Sequence, residues 1–297
     1  MASEQEGNGP SAPALFTRAK AIVAVTRPEL TIASGLCVVT GEFLALEHLP
    51  SLTEGFMGFL AGFSLSASAM TSNDYYDLEV DRVNNPGRPL PSGRITLTEL
   101  VLLTIFLTIV GLVAAAFLGP FVLLFAIGTW SIGLLYNWKL KESGPLGNAL
   151  VSLSVALAFL FGGLIVGGLD RGMVWVFAVL SFLFNMSEET AGGVMDMEGD
   201  GARLTRSLAR VRGREYALLI SGLWMLLFIL ISFVPYLLGW LGAYYLGMIL
   251  VADAMVAFFF LKLAWSTTSE EGRRRMKQLY VTLTSFILAF MFTPVFA

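Results

Sequence analysis

The stretch Asn73-Asp74-Tyr75-Tyr76-Asp77-Leu78-Glu79-Val80-Asp81 and a second cluster, Asp196-Met197-Glu198-Gly199-Asp200, each close a long apolar run in a chain that otherwise avoids carboxylates. Carboxylates at the edge of a hydrocarbon layer are costly to desolvate, so each cluster needs a compensating charge, which a divalent cation can supply. The pattern predicts a metal-dependent membrane enzyme. Of the 297 residues, 56% are hydrophobic and only 14% charged, a balance that excludes an ordinary soluble domain. The apolar material falls into about nine stretches, near residues 24–47, 55–80, 96–117, 120–137, 146–168, 172–195, 214–236, 239–262 and 276–296. Each is close to the ~20 residues that span a bilayer core. The runs are continuous and rich in Leu, Phe and Ala rather than alternating, so spanning helices are predicted and a β-barrel is not. The expected fold is an all-α transmembrane bundle of about nine helices.

Residues 1–14 are rich in Gly, Pro, Ser and Glu and lack an apolar core, which predicts a disordered cytosolic tail ahead of one transmembrane domain over residues 15–297. Cys37 is the sole cysteine and lies inside the first apolar run, so neither an intrachain disulfide nor a cysteine metal site is expected. The net charge of −3 says little, but the placement of bases says more. Arg18, Lys20 and Arg27 precede or open the first run, and Arg82, Arg88 and Arg94 follow the second. Lys139 and Lys141 follow the fourth, Arg203 to Arg214 the sixth, and Lys262 to Lys277 the eighth. With nine spans all of these fall on one side, and the opposite loops carry only Arg171. The positive-inside rule then puts the N-terminus and both acidic clusters on the cytoplasmic face, in the plasma membrane.

The second and sixth spans are each followed by a long polar loop, so the chain reads as two related four-helix halves plus one helix, with an acidic cluster ending the second helix of each half. Residues four apart on a helix lie one above the other with ~40° of drift, so Asn73, Asp77 and Asp81 form one ladder. Asp196 and Asp200 form the other, and Glu189 returns to nearly the same face two turns deeper. Two facing ladders would make an oxygen cage suited to magnesium, which takes one or two carboxylates per ion and completes its shell with water and phosphate oxygens. Asp74, Glu79 and Glu198 point off the shared faces. Between the ladders, Arg88, Arg94 and Arg206 are candidates to clamp phosphate oxygens, and Tyr136 and Lys139 end the fourth span on the same side. Gly163 and Gly167 form a small-xxx-small pair for close helix packing. His48 reads as a surface residue. Glu42 and Asp253 are intramembrane acids without an assignable partner, and both stay outside the catalytic set.

These residues resemble the UbiA superfamily of intramembrane prenyltransferases, whose signatures are an N/D-D-x-x-D-x-x-x-D ladder and a later D-x-x-x-D ladder at the cytoplasmic ends of helices in a nine-helix bundle. The run Asn73 to Asp77 followed by Asn84-Asn85-Pro86-Gly87-Arg88-Pro89-Leu90-Pro91-Ser92-Gly93 is especially similar to geranylgeranylglycerol-phosphate geranylgeranyltransferases. Relatives often read Arg-Glu-x-x-Lys-Asp ahead of the second ladder, where this chain has Glu188, Glu189, Gly192 and Gly193, so a basic phosphate ligand is missing there. The resemblance implies magnesium-dependent transfer of a geranylgeranyl group from its diphosphate to 3-O-geranylgeranylglyceryl phosphate. Asn73, Asp77, Asp81, Asp196 and Asp200 would hold two metal ions, and either Lys139, Arg88 or another base would supply the displaced phosphate contact, or the substrate would be handled somewhat differently. A quinone-precursor or chlorophyllide acceptor is the alternative within the superfamily. The substrates and membrane lipids are the expected partners, with no nucleic acid and no obligate protein partner. The rival of another class is an ion-coupled transporter, but its sites lie near the bilayer midplane rather than beside Arg-bearing loops.

Overall fold

The structure, a computed structural model, describes residues 12–197 and 207–293. Among the described residues thirteen α-helices follow one another: α1 (Ala12–Val25), α2 (Pro28–Leu46), α3 (Leu52–Tyr76), α4 (Leu78–Asn84), α5 (Leu97–Leu118), α6 (Pro120–Leu135), α7 (Pro145–Ile165), α8 (Gly172–Met195), α9 (Leu208–Arg212), α10 (Arg214–Ser232), α11 (Val234–Leu237), α12 (Ala243–Ala264) and α13 (Ser269–Met291). No strand occurs among the described residues. Residues 1–11 of the expected tail lie outside the described residues, and helix α1 already includes Ala12 to Ala14.

Local chemistry sets the helix ends. Ser51 with Glu54 and Thr96 with Glu99 form reciprocal capping boxes at α3 and α5, and Thr268 accepts the Glu271 N–H at the start of α13. That cap starts α13 at Ser269, seven residues before the apolar run suggested. Pro28, Pro120 and Pro145 open α2, α6 and α7, where a missing N–H costs nothing. Pro28 also disfavours a helical Arg27, which sits instead at φ 49 and separates α1 from α2 inside the first expected span.

Six helical segments among the described residues are long and apolar enough to cross a membrane: Pro28–Leu46, Leu97–Leu118, Pro120–Leu140, Pro145–Ile165, Arg214–Leu237 and Ala243–Ala264. The long helices α3, α8 and α13 fall outside that set because they carry more polar and charged side chains, which on α3 and α8 are largely buried and at the start of α13 largely exposed. Leu102, Phe106, Phe117, Phe121 and Leu124 point outward from α5 and α6, an arrangement that suits a lipid surround. The helices form a circuit: α2 packs on α3 and α7, α3 on α5, α8 on α7 and α10, α12 on α13, and α13 returns to α2 and α8.

Glycine lets α2 and α7 touch backbone to backbone. A Cβ at Gly162 would lie 2.0 Å from the Val38 carbonyl oxygen, and one at Gly41 would lie 2.2 Å from that of Phe159. The close approach therefore runs through Gly41 and Gly162, not the Gly163/Gly167 pair. Gly163 faces Val174 of α8, while Gly167 sits at φ +72 with open space around it.

Candidate active site

The first ladder survives a break in its helix. Helix α3 ends at Tyr76 and α4 starts at Leu78, yet the backbone bonds Asp77 N to Asn73 O (2.9 Å), Asp81 N to Asp77 O (2.8 Å) and Asn85 N to Asp81 O (2.9 Å) preserve the four-residue spacing. Asp77 and Asp81 are buried. Each carboxylate meets a base. Asp81 accepts from Arg88 at 2.5 Å and from Asn85 at 3.1 Å. Asp77 accepts from Lys141 and from Asn73 (3.1 Å), and Lys141 also donates to Asn73 Oδ1 at 2.6 Å.

Two sequence assignments change at this end. Asp74 does not line the cavity, but it is no solvated acid either: it is buried, 2.6 Å from Arg27 and 3.8 Å from Arg88, two bases that do line it. Seven residues separate it from Asp81, close to two full turns, so both acids share Arg88. Glu79, by contrast, is exposed and pairs with Arg82 at 2.8 Å. The second change replaces Lys139 by Lys141. Residues Tyr136–Leu140 form a π-helical turn in which the Lys141 N–H bonds the Tyr136 carbonyl, an i to i+5 closure. That closure brings Lys141 beneath Tyr136 and swings Lys139 outward, where it lies exposed with its ammonium 5.9 Å from the Trp138 ring centre. Asn137 ties the turn to α3 by donating to the Ala69 carbonyl (2.9 Å) and Ser72 Oγ (2.8 Å). Arg94 is also exposed: it staples its own loop, donating to Ser92 Oγ at 2.9 Å and to the Gly87 carbonyl.

Across the site, Asp196 caps α8 and accepts from Arg273 of α13 at 2.6 Å, both side chains being more than half exposed. Glu198, Asp200, Arg203 and Arg206 lie outside the described residues. Neither Gly192 nor Gly193 faces the site: a Cβ at Gly192 would meet Met276 of α13, and one at Gly193 would meet Ser207. The base beside the second ladder thus comes from α13 through Arg273, a residue the sequence pattern hid within a run of three arginines.

These groups form the mouth of one cavity of about 750 Å³. Asn73, Asp77, Asp81, Arg88, Tyr136, Lys141, Asp196 and Arg273 line it at one end, and Phe159, Phe161, Phe177 and Phe286 line it further in. Part-way along, Glu189 and Glu188 line the wall, and Tyr280 donates to Glu188 at 2.7 Å. Deeper still, Asp253 has the partner that sequence could not assign: Ser232 donates to it at 2.7 Å, and Tyr245 donates to the Ser232 carbonyl at 2.7 Å. Glu42 lies elsewhere, fully buried, with neither carboxylate oxygen hydrogen-bonded. His48 is exposed, in a loop at the opposite end from the ladders.

Among the described residues no group of three or more His, Cys, Asp or Glu side chains is gathered as a metal cage. The donors that do share the mouth, Asn73, Asp77, Asp81 and Asp196, are all hard oxygens, and they fit an ion that takes one or two carboxylates and fills its shell from a substrate phosphate. A charged mouth with both signs above an aromatic interior suits an amphiphile carrying a polyanionic head.

The sequence profile of the UbiA prenyltransferase family matches residues 34–291. The chain is 33% identical over 271 residues to the digeranylgeranylglyceryl phosphate synthase of Pyrococcus abyssi (strain GE5 / Orsay), spanning 91% of this chain and 96% of that protein. A solved structure concerned with digeranylgeranylglyceryl phosphate synthase in membranes superposes with a TM-score of 0.71 at 27% identity, covering 92% of this chain and 97% of its own. A UbiA homolog from Archaeoglobus fulgidus bound to GPP and Mg2+ has the same fold at a TM-score of 0.70 and 18% identity, over 92% of this chain and all of its own. With its apolar helices, and with that profile matched over most of its length, this integral membrane protein belongs to the UbiA prenyltransferase family.

Proposed function

We propose that this chain transfers a geranylgeranyl group from its diphosphate to the hydroxyl of 3-O-geranylgeranylglyceryl phosphate, forming the second ether bond of an archaeal-type lipid. The observation that carries the reading is the single cavity whose mouth holds Asp77, Asp81, Asp196, Arg88, Lys141 and Arg273 and whose interior is aromatic and apolar. Family membership and the synthase names of relatives such as that of P. abyssi support it.

In this reading Asn73, Asp77, Asp81 and Asp196, with Asp200 from outside the described residues, would hold magnesium, the ion named with GPP for the homolog from A. fulgidus. Bound magnesium supplies the positive charge that stabilises the diphosphate as a leaving group. Arg88, Lys141 and Arg273 turn from the carboxylates to the phosphate oxygens when the donor enters. The bond between the prenyl C1 and the diphosphate oxygen breaks, and the aromatic wall, with Tyr136 at the mouth, keeps water from the allylic cation and offers it π-faces. The acceptor hydroxyl oxygen then bonds to C1, and its proton passes to the released diphosphate or to water at the mouth. In this reading α3, α8 and α13 cross the membrane as well, making nine crossings, and the excess of bases beside the mouth supports its facing the cytoplasm across the plasma membrane, where a soluble diphosphate head can reach it.

Purified protein in detergent, given labelled geranylgeranyl diphosphate, magnesium and a panel of acceptors, should release diphosphate only with an acceptor and yield a diether from the glyceryl phosphate. EDTA should stop turnover and magnesium restore it. Metal-independent turnover, or transfer only to an aromatic acceptor, overturns the assignment.

A further inference from the structure

Helix α13 has two working faces. Arg273, Tyr280 and Thr284 look into the cavity, whereas Arg274, Lys277 and Val281 line a second concavity of about 850 Å³ between α12 and α13 on the outside of the bundle. Most of that groove is apolar, walled by Met248, Val251, Met255 and Phe259 of α12 and by Phe286 and Ala289 of α13. Its one charged end carries only bases.

Among the described residues those bases meet no acid. Arg273 pairs with Asp196, and Arg275 is held by Glu271 and Gln278. Arg274 and Lys277, between and beside them, are exposed and form no ion pair or hydrogen bond among the described residues, although Glu270 stands one helical turn before Arg274. From Arg274 to Ala289 the groove follows fifteen helical steps, about 22 Å at 1.5 Å per residue. That exceeds the ~15 Å half-thickness of a bilayer core. The basic end lies on the same side of the bundle as Asp196, which neighbouring Arg273 meets, and in the orientation proposed above that is the level of the lipid head groups.

We propose that the α12–α13 groove is a binding site for one membrane lipid with a phosphate head group, the phosphate held by Arg274 and Lys277 and a long chain lying along the α12 wall. Charge complementarity selects this occupant: a zwitterionic head brings its own cation against two unpaired bases, and a neutral lipid leaves them unmatched. The site is distinct from the reaction cavity, although Ala252 and Phe286 border both spaces.

Native mass spectrometry of the full chain in detergent, titrated with dioleoyl phosphatidic acid or dioleoyl phosphatidylcholine, tests the proposal. Wild type should retain one phosphatidic acid in preference to phosphatidylcholine. Arg274→Gln and Lys277→Gln should each weaken retention roughly fivefold, from ~1 kcal/mol per base at a membrane surface. Gly247→Leu tests the apolar part: Gly247 lines the groove, and a Cβ there meets nothing within 4 Å, so leucine fills the channel without disturbing the helix. It should also lower retention. Lys262→Gln, at the same end but outside the groove, should change nothing. Equal retention of the two lipids, an equal loss in Lys262→Gln, displacement by inorganic phosphate alone, or unaltered retention in Gly247→Leu each overturns the proposal.

Discussion

Lys139 and Lys141 stand two residues apart and do unlike things. Lys141 bonds Asp77 and Asn73 inside the mouth, while Lys139 lies over Trp138 outside it. Lys141→Ala should therefore raise the KM for the prenyl diphosphate by roughly ten- to hundredfold, the worth of ~1.5–3 kcal/mol for a lost charged hydrogen bond, with a smaller change for the acceptor. Lys139→Ala should leave both values near wild type. Donor kinetics of the two variants side by side decide between them, and equal effects would refute the division. Asp77→Ala and Asp196→Ala should abolish turnover while far-UV circular dichroism stays helical, because each removes an oxygen donor at the mouth that helix packing does not use. The residue types were legible in the sequence. Which of two lysines enters the site was not, because it depends on one extra residue in one helical turn.

At the scale of elements, the π-helical turn and the glycine contact do the positioning. The turn is fixed to α3 by Asn137, so Asn137→Leu, which removes both bonds, should mimic Lys141→Ala in raising the donor KM even though residue 137 itself carries no charge. A normal KM in that variant would show that the turn holds its register without α3. Between α2 and α7, Gly162→Ala would drive a methyl to 2.0 Å from the Val38 carbonyl and force the helices apart. Overpacking of this kind costs about 1–3 kcal/mol, so a clear fall in the detergent melting temperature is expected. Gly167→Ala, in open space but at φ +72, should cost less, of the order of 1 kcal/mol from backbone strain alone. Sequence spacing singled out Gly163 and Gly167. The contact falls on Gly41 and Gly162 because the rotation of each helix about its own axis is set by all its neighbours together.

For the whole molecule, the distribution of bases makes an orientation prediction. Cys37 is buried in α2, so a cysteine placed at exposed His48 or Thr267 can be labelled against little background. A membrane-impermeant maleimide added to intact cells should react with His48→Cys and reach Thr267→Cys only after permeabilisation, and the reverse pattern would invert the topology. Composition and apolar run length were enough to foretell an all-helical membrane bundle, since a bilayer leaves a continuous apolar segment no other way to satisfy its backbone. The four-residue spacing of Asn73, Asp77 and Asp81 marked the first half of the mouth, because that periodicity is local and the backbone bonds keep it across the α3–α4 junction. What the tertiary structure alone decided is which charges meet: Arg273 with Asp196, Arg27 with Asp74, Lys141 with Asp77. Those partners lie 77, 47 and 64 residues apart. No local pattern encodes such a pairing, because it follows from how separate helices pack and turn against one another in the closed bundle.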